Sequence, residues 1–226
     1  MKTFDTIRFN AKAITALPGT QGFLAFIPAL LLFAAMLMGD YPAALALQFA
    51  AVVLPFLLPI LSRDSGFSVW HDLNLNRPPT LNRVIPWAAV ALIVVVLLQI
   101  GTAALFSALG FEPGKQMQVT MLAEADGGTR LILLLTILII APVSEELIFR
   151  HFFFGGLASK LGWQNSIPFT ALAFAAIHCD IQFIPGLFAL GVALQLIYLT
   201  TGKLWNAIAT HMLFNAVNVA IVLGMP

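Results

Sequence analysis

Two adjacent carboxylates, Glu145 and Glu146, stand in the stretch Ala141-Pro-Val-Ser-Glu-Glu-Leu-Ile-Phe-Arg150, where the surroundings are largely Leu, Ile and Phe. A charge near the centre of a bilayer costs at least about 2.5–3.5 kcal/mol on insertion scales, so an acidic pair there needs a partner or a task. Arg150 follows Glu146 by four residues, which on a helix puts both on one face with the acid N-terminal to the base. Glu145 then points about 100° away and is left for other work. The plainer account places both acids at a cytoplasmic interface, held by Arg150 and Lys160.

Two further clusters lie downstream. Phe174-Ala-Ala-Ile-His178 brings an imidazole near the end of an apolar run, and His211-Met-Leu-Phe-Asn215 places an imidazole and a carboxamide one helical turn apart. Asn206 and Asn218 extend the polar side of that last segment. Alone, each has a bland explanation. A membrane histidine is usually a packing residue, and an asparagine usually links helices at about 0.6 kcal/mol. Together they are harder to dismiss, because polar groups in a bundle interior converge on one another or on a water cavity. A desolvated carboxylate serves as a general base toward water. Imidazoles and an amide can hold the oxyanion of a tetrahedral intermediate. That set is enough for water-mediated amide hydrolysis.

Other intramembrane chemistries lack their residues. The sequence has no His-Glu-x-x-His for a zinc-protease helix, no Gly-x-Gly-Asp around an aspartate, and no Gly-x-Ser-Gly for a serine nucleophile. Cys179 is the single cysteine, so neither an intrachain disulfide nor a thiolate metal cage can form. It follows His178 directly, off that residue's helical face, and is expected to be a buried, inert thiol.

The three clusters, in this order and spacing, resemble the CPBP family of intramembrane proteases. That family includes the eukaryotic type II CAAX prenyl endopeptidase and bacterial members known as Abi or bacteriocin-immunity proteins. The family's Glu-Glu-x-x-x-Arg matches Glu145, Glu146 and Arg150. Its Phe-x-x-x-His matches Phe174 and His178, and its His-x-x-x-Asn matches His211 and Asn215. The resemblance covers roughly residues 130–220, and three motifs in order are specific where one would be weak. It implies that Glu145 activates water with His178 helping to hold it, that His211 and Asn215 form the oxyanion site, and that Glu146 and Arg150 are an orienting ion pair. No tightly bound cofactor is expected. The alternative is Zn²⁺, with Glu145, His178 and His211 as its ligands. One departure is His151, directly after Arg150, where the family commonly has Gly; an interfacial side chain is its plainest reading.

These residues need apolar elements to carry them. The chain has 226 residues, 60% of them hydrophobic and 9% charged. Soluble domains carry about 25% charged residues, so the solvent that fits is a bilayer. With about 20 apolar residues per span, candidates fall at 22–39, 43–61, 84–107, 131–150, 165–180, 183–201 and 204–223. The expected fold is all-α, a polytopic transmembrane helix bundle of about seven spans (roughly six to eight). Residues 1–130 would supply N-terminal membrane helices and loops, and residues 131–226 the catalytic core, within one compact membrane domain. The run from Gly22 to Gly39 exceeds the roughly 7–15 residues of a signal-peptide core and reads as a retained first helix.

If the N-terminus is cytoplasmic, Lys2, Arg8, Lys12, Arg63, Arg77, Arg83, Arg150, Lys160 and Lys203 fall inside, and only Lys115 and Arg130 outside. The positive-inside bias therefore sets a cytoplasmic N-terminus. The 62–83 loop, with Trp70, His71, Pro78 and Pro79, is expected to be a linker rather than a lid. A formal net charge of +1 leaves no basic patch for nucleic acid. The partners implied are the lipid bilayer and a membrane-associated polypeptide substrate, in a bacterial cytoplasmic (inner) membrane, with no oligomeric state implied. The competing readings are a non-catalytic membrane scaffold or bacteriocin self-immunity protein, and a small transporter. A transporter predicts an internal repeat, which the sequence lacks.

Overall fold

The computed structural model describes residues 5–8, 46, 50, 75–114 and 116–224; the candidate span at 22–39, and that at 43–61 apart from residues 46 and 50, lie outside these. Among the described residues every regular element is helical. Numbered from the first long one, they are α1 (Leu81–Ala108), α2 (Met117–Glu124), α3 (Gly127–Leu161), α4 (Trp163–Ala176), α5 (Ile184–Thr201) and α6 (Leu204–Gly224). Four are long and apolar enough to cross a membrane: α1, α3, α5, and α6 over Leu204–Ile221.

The fifth expected span falls short. Residues 165–180 were expected to be helical throughout, but α4 has 14 residues and stops at Ala176. At 1.5 Å per residue that is about 21 Å, less than a bilayer core of about 30 Å. The reason lies in the backbone after it. His178 and Cys179 make tight i−3 bonds to Ala175 and Ala176, and Cys179 takes φ 54°, a left-handed conformation that ends a helix. His178 therefore sits in the turn between α4 and α5. Cys179 is exposed there rather than buried.

α3 is the element that carries the carboxylates, and it is irregular. Two π-helical stretches, Thr136–Ile140 and Glu146–Phe153, flank a short α-helical turn from Ala141 to Glu145. Pro142 supplies the cause of the first, since a proline inside a helix lacks an N–H and crowds the carbonyl a turn before it. Hydroxyls take up slack around it: Thr136 donates to the Ile132 carbonyl at 2.8 Å, and Ser144 to Ile140 and Ala141 at 3.0 and 2.9 Å. Such local rescue is what lets a proline stay in an apolar helix.

Two apolar clusters hold the helices. One joins Ala91 and Val95 of α1, Ile148 and Phe149 of α3, Phe174 of α4, Leu190 and Leu194 of α5, and Phe214 of α6. The other joins Leu147 and Phe154 of α3 to Ile197 and Leu199 of α5 and Leu204 and Ile208 of α6, with Ile7 against them. The carboxylates lie where the two clusters meet, since Leu147 belongs to one and Ile148 to the other. On its outer side α1 presents Ile85, Ile93, Leu97 and Ile100, each more than half exposed, a surface suited to lipid or another apolar helix.

α4 and α5 form an antiparallel hairpin whose close approach depends on Gly191. A Cβ there would lie 3.0 Å from the Ala171 Cα and 3.3 Å from the Phe174 ring. Gly191→Ala is therefore expected to destabilise the protein by about 1–3 kcal/mol, read as a lower thermal midpoint in detergent. An unchanged midpoint would show that the hairpin has room.

The ends of the bundle differ in charge. Thr80, before α1, receives the Lys203 Nζ on its hydroxyl at 3.1 Å and gives its own N–H to Asn206 at 2.7 Å, so the start of α1 meets the start of α6. Trp205 donates to the Leu75 carbonyl at 2.9 Å at that same end. Arg77, Arg83, Lys160 and Lys203 gather there. At the other end, Gly114 donates to Gln182 at 2.8 Å, tying the loop after α1 to the α4–α5 turn. Glu112, Glu124, Asp126 and Asp180 lie on that side.

Candidate active site

Arg150 and Glu146 form the buried pair that their spacing predicts. Both are fully buried, and Arg150 Nε donates to Glu146 Oε2 at 2.9 Å, with Nη2 3.5 Å from Oε1. The guanidinium carbon lies 4.5 Å from the centre of the Phe174 ring, so α4 provides an aromatic floor for a charge that α3 carries. Both acids are buried among the helices rather than reaching to the protein surface.

The sequence did not suggest the next contact. His211 Nδ1 lies 3.0 Å from Glu146 Oε1, joining α6 to the ion pair. The carboxylate accepts, so Nδ1 carries the hydrogen and the tautomer is set. The other ring nitrogen, Nε2, then turns to Glu145, with Oε2 3.9 Å away. Glu145 itself is 6% exposed. Two neighbouring acids thus have different partners: Glu146 is saturated by Arg150 and His211, while Glu145 has an imidazole just beyond direct hydrogen-bond distance.

His178 joins at one remove. Its Nδ1 donates to the Phe174 carbonyl at 2.8 Å, which leaves Nε2 as an acceptor. The Phe174 ring stands 5.1 Å from the His178 ring and 5.9 Å from that of His211, edge-on to both. Phe174 is therefore common to Arg150 and the two histidines. Asn215, one turn beyond His211, donates its amide at 2.8 Å to the Ile137 carbonyl on α3.

His151 is enclosed by the helices. It is 2% exposed, and its Nδ1 is 2.9 Å from the Tyr198 hydroxyl of α5, while Nε2 is buried without a hydrogen-bond partner. Sequence reading passed over Tyr198, whose one signal is a phenol inside an otherwise apolar span. Tyr198→Phe would leave both ring nitrogens of His151 unpartnered. It is expected to cost about 1–3 kcal/mol of stability, measurable as a lower unfolding midpoint. A Phe variant as stable as the parent would mean that the pair contributes nothing.

Among the described residues no group of three His, Cys, Asp or Glu side chains is placed to hold a metal ion. Glu145, His178 and His211, the three that would ligate Zn²⁺, are not gathered as one group in this arrangement.

The fold and site define a helical membrane protein with a carboxylate–imidazole cluster sealed among its spans. Comparison with known proteins adds a family likeness. Residues 127–217 match the family described as type II CAAX prenyl endopeptidase Rce1-like. Over 154 residues, 64% of this chain, the sequence is 28% identical to the membrane-embedded CAAX protease MroQ of Staphylococcus aureus (strain USA300), covering 60% of that protein. Over 77 residues, 34% of this chain, it is 29% identical to YdiL of Bacillus subtilis (strain 168), described as a candidate membrane peptidase, covering 32% of it. The matches thus span less than two thirds of either relative. No solved structure matches the chain. Residues 127–217, from α3 into α6, are similar to the Rce1-like CAAX protease domain, and the four apolar helices together with these bacterial membrane relatives mark an integral bacterial membrane protein.

Proposed function

We infer that this protein is an intramembrane endopeptidase that hydrolyses peptide bonds of membrane-associated polypeptides with water activated by Glu145. One observation carries this reading: a buried carboxylate 3.9 Å from an imidazole nitrogen whose ring is locked by a second carboxylate. A water at ordinary hydrogen-bond length from both Glu145 Oε2 and His211 Nε2 would subtend roughly a right angle between them, a comfortable geometry for one oxygen. Glu145 takes a proton from that water as its oxygen attacks the carbonyl carbon. It then returns the proton to the leaving amine as the C–N bond breaks.

With Nδ1–H engaged in both histidines, an imidazole can donate to the oxyanion only after Nε2 takes a second proton, and His211, whose Nε2 lies 3.9 Å from Glu145, is the nearer of the two. His178, with Nε2 free, helps to hold the water. Glu146 and Arg150 do no bond-making. They fix the His211 tautomer and keep α3 and α6 in register. Residues 131–226 carry this chemistry, and the helices of residues 1–130 complete the membrane domain. The basic end of the bundle, with Arg77, Arg83, Lys160 and Lys203, supports a cytoplasmic location for that end. This orientation places the N-terminus of α1 inside, in a bacterial cytoplasmic membrane.

The experiment is a comparison of membrane-protein terminal peptides in cells expressing the wild type or Glu145→Gln at equal level. New termini found only with the wild type are expected and would name substrates. Identical sets in both would move the assignment to a scaffold or immunity role.

A further inference from the structure

One carbonyl of α3 has no helical donor. In the first widened turn the Ala141 N–H bonds to the Thr136 carbonyl, five residues back. The Ile137 carbonyl is next in that pattern, and its donor would be residue 142. That residue is Pro142, which has no N–H. In water such a gap is filled by solvent. Inside an apolar helix an unmet carbonyl is costly, and another protein group must supply the hydrogen. The Asn215 amide does so from α6 at 2.8 Å.

We propose that Asn215 is a positioning residue: its amide closes the gap that Pro142 opens in α3 and so holds the widened turn that aims Glu145 at His211. Three observations meet here. Pro142 is buried three residues before Glu145, so a change in the turn rotates the carboxylate. His211 and Asn215 share one face of α6, so that helix grips α3 on both sides of Glu145, at Glu146 and at Ile137. The Asn215 hydrogen that faces Ile137 is committed to backbone, which separates this role from that of an oxyanion donor. The aiming of Glu145 rests on the hydrolase reading; the clamp itself does not.

The test is a cycle of four full-length proteins in detergent: wild type, Asn215→Ala, Pro142→Ala and the double variant. Asn215→Ala alone is expected to lower the thermal midpoint by on the order of 5 °C, because it orphans a half-buried carbonyl within an apolar helix. With alanine at position 142 a backbone N–H is available to Ile137, and the same Asn215→Ala change should then cost less than half as much. Equal losses in both backgrounds, or no loss in the wild-type background, would overturn the clamp. Should Pro142→Ala fail to fold, Asn215→Leu decides: it keeps the size, removes the donor without adding a charge, and must lower the midpoint as Ala does.

Cleavage supplies the second readout. Asn215→Ala should lose activity, and the double variant should recover at least tenfold of it. Recovery of stability without cleavage would overturn the aiming role and return Asn215 to the reacting atoms. A wild type that cleaves nothing takes down the hydrolase reading by itself, and the unfolding cycle still decides the clamp.

Discussion

Glu145→Gln is expected to lower peptide cleavage by about 10²–10⁴-fold while the protein folds and melts as the wild type does. The substitution keeps the shape of a side chain that is 6% exposed and removes only its capacity to take a proton. Its neighbourhood asks little of it structurally. The 3.9 Å to His211 Nε2 is too long for a direct hydrogen bond, so no structural contact of that kind is lost. The reporter should be a peptide spanning a cleavage site found only with wild-type protein, assayed with purified enzyme in detergent. Glu145→Asp, which retracts the carboxylate by one methylene, should retain a small fraction of the rate. A scaffold or immunity protein predicts otherwise, since a purely structural network tolerates a neutral isostere. Full cleavage by the Gln variant would remove Glu145 from the mechanism, whatever the fate of the hydrolase reading.

What could be read from the sequence was whatever depends on local spacing. The Glu146–Arg150 pair followed from a four-residue interval on one helix, and it survives the widening of that helix into a π turn. The spans at 84–107, 183–201 and 204–223 match α1, α5 and α6 to within a few residues, because a long apolar run in a bilayer has little choice but helix. Contacts between helices were not legible. Glu146 and His211 are 65 residues apart, and spacing gives each a face without saying which faces meet. The sequence reading assigned those two residues to separate tasks, whereas the structure joins them.

The end of α4 was missed for a different reason. Nothing in Ala-Ala-Ile-His-Cys-Asp announces a stop, and the left-handed turn sits at a cysteine instead of the glycine that would have flagged it. Pro142 did announce a local break, but where the broken carbonyl finds its donor is tertiary information. His151 was read from its neighbours as interfacial. Only the position of Tyr198 on another helix explains how an imidazole can be buried there.

Arg150→Met is expected to be the most damaging single change to the fold, costing about 3–5 kcal/mol. Removing the guanidinium leaves the Glu146 carboxylate fully buried with His211 as its remaining partner in the ion-pair network, and breaks the stack on Phe174. A bare buried charge is dearer than a missing attraction, and this asymmetry gives the prediction its test. The double variant Glu146→Gln/Arg150→Met should be more stable than Arg150→Met alone, because it removes the unpaired charge while the Gln oxygen still accepts from His211 Nδ1. Arg150→Lys should also fall well short of the wild type. An ammonium cannot address both Glu146 oxygens from one plane, nor lie flat on an aromatic ring. Thermal unfolding of the four proteins, with yield of folded protein as a second measure, orders them. If Arg150→Met melts with the wild type, Arg150 is not what stabilises the buried Glu146 carboxylate. If the double variant is worse than the single, the cost lies in packing around Phe174 and not in charge.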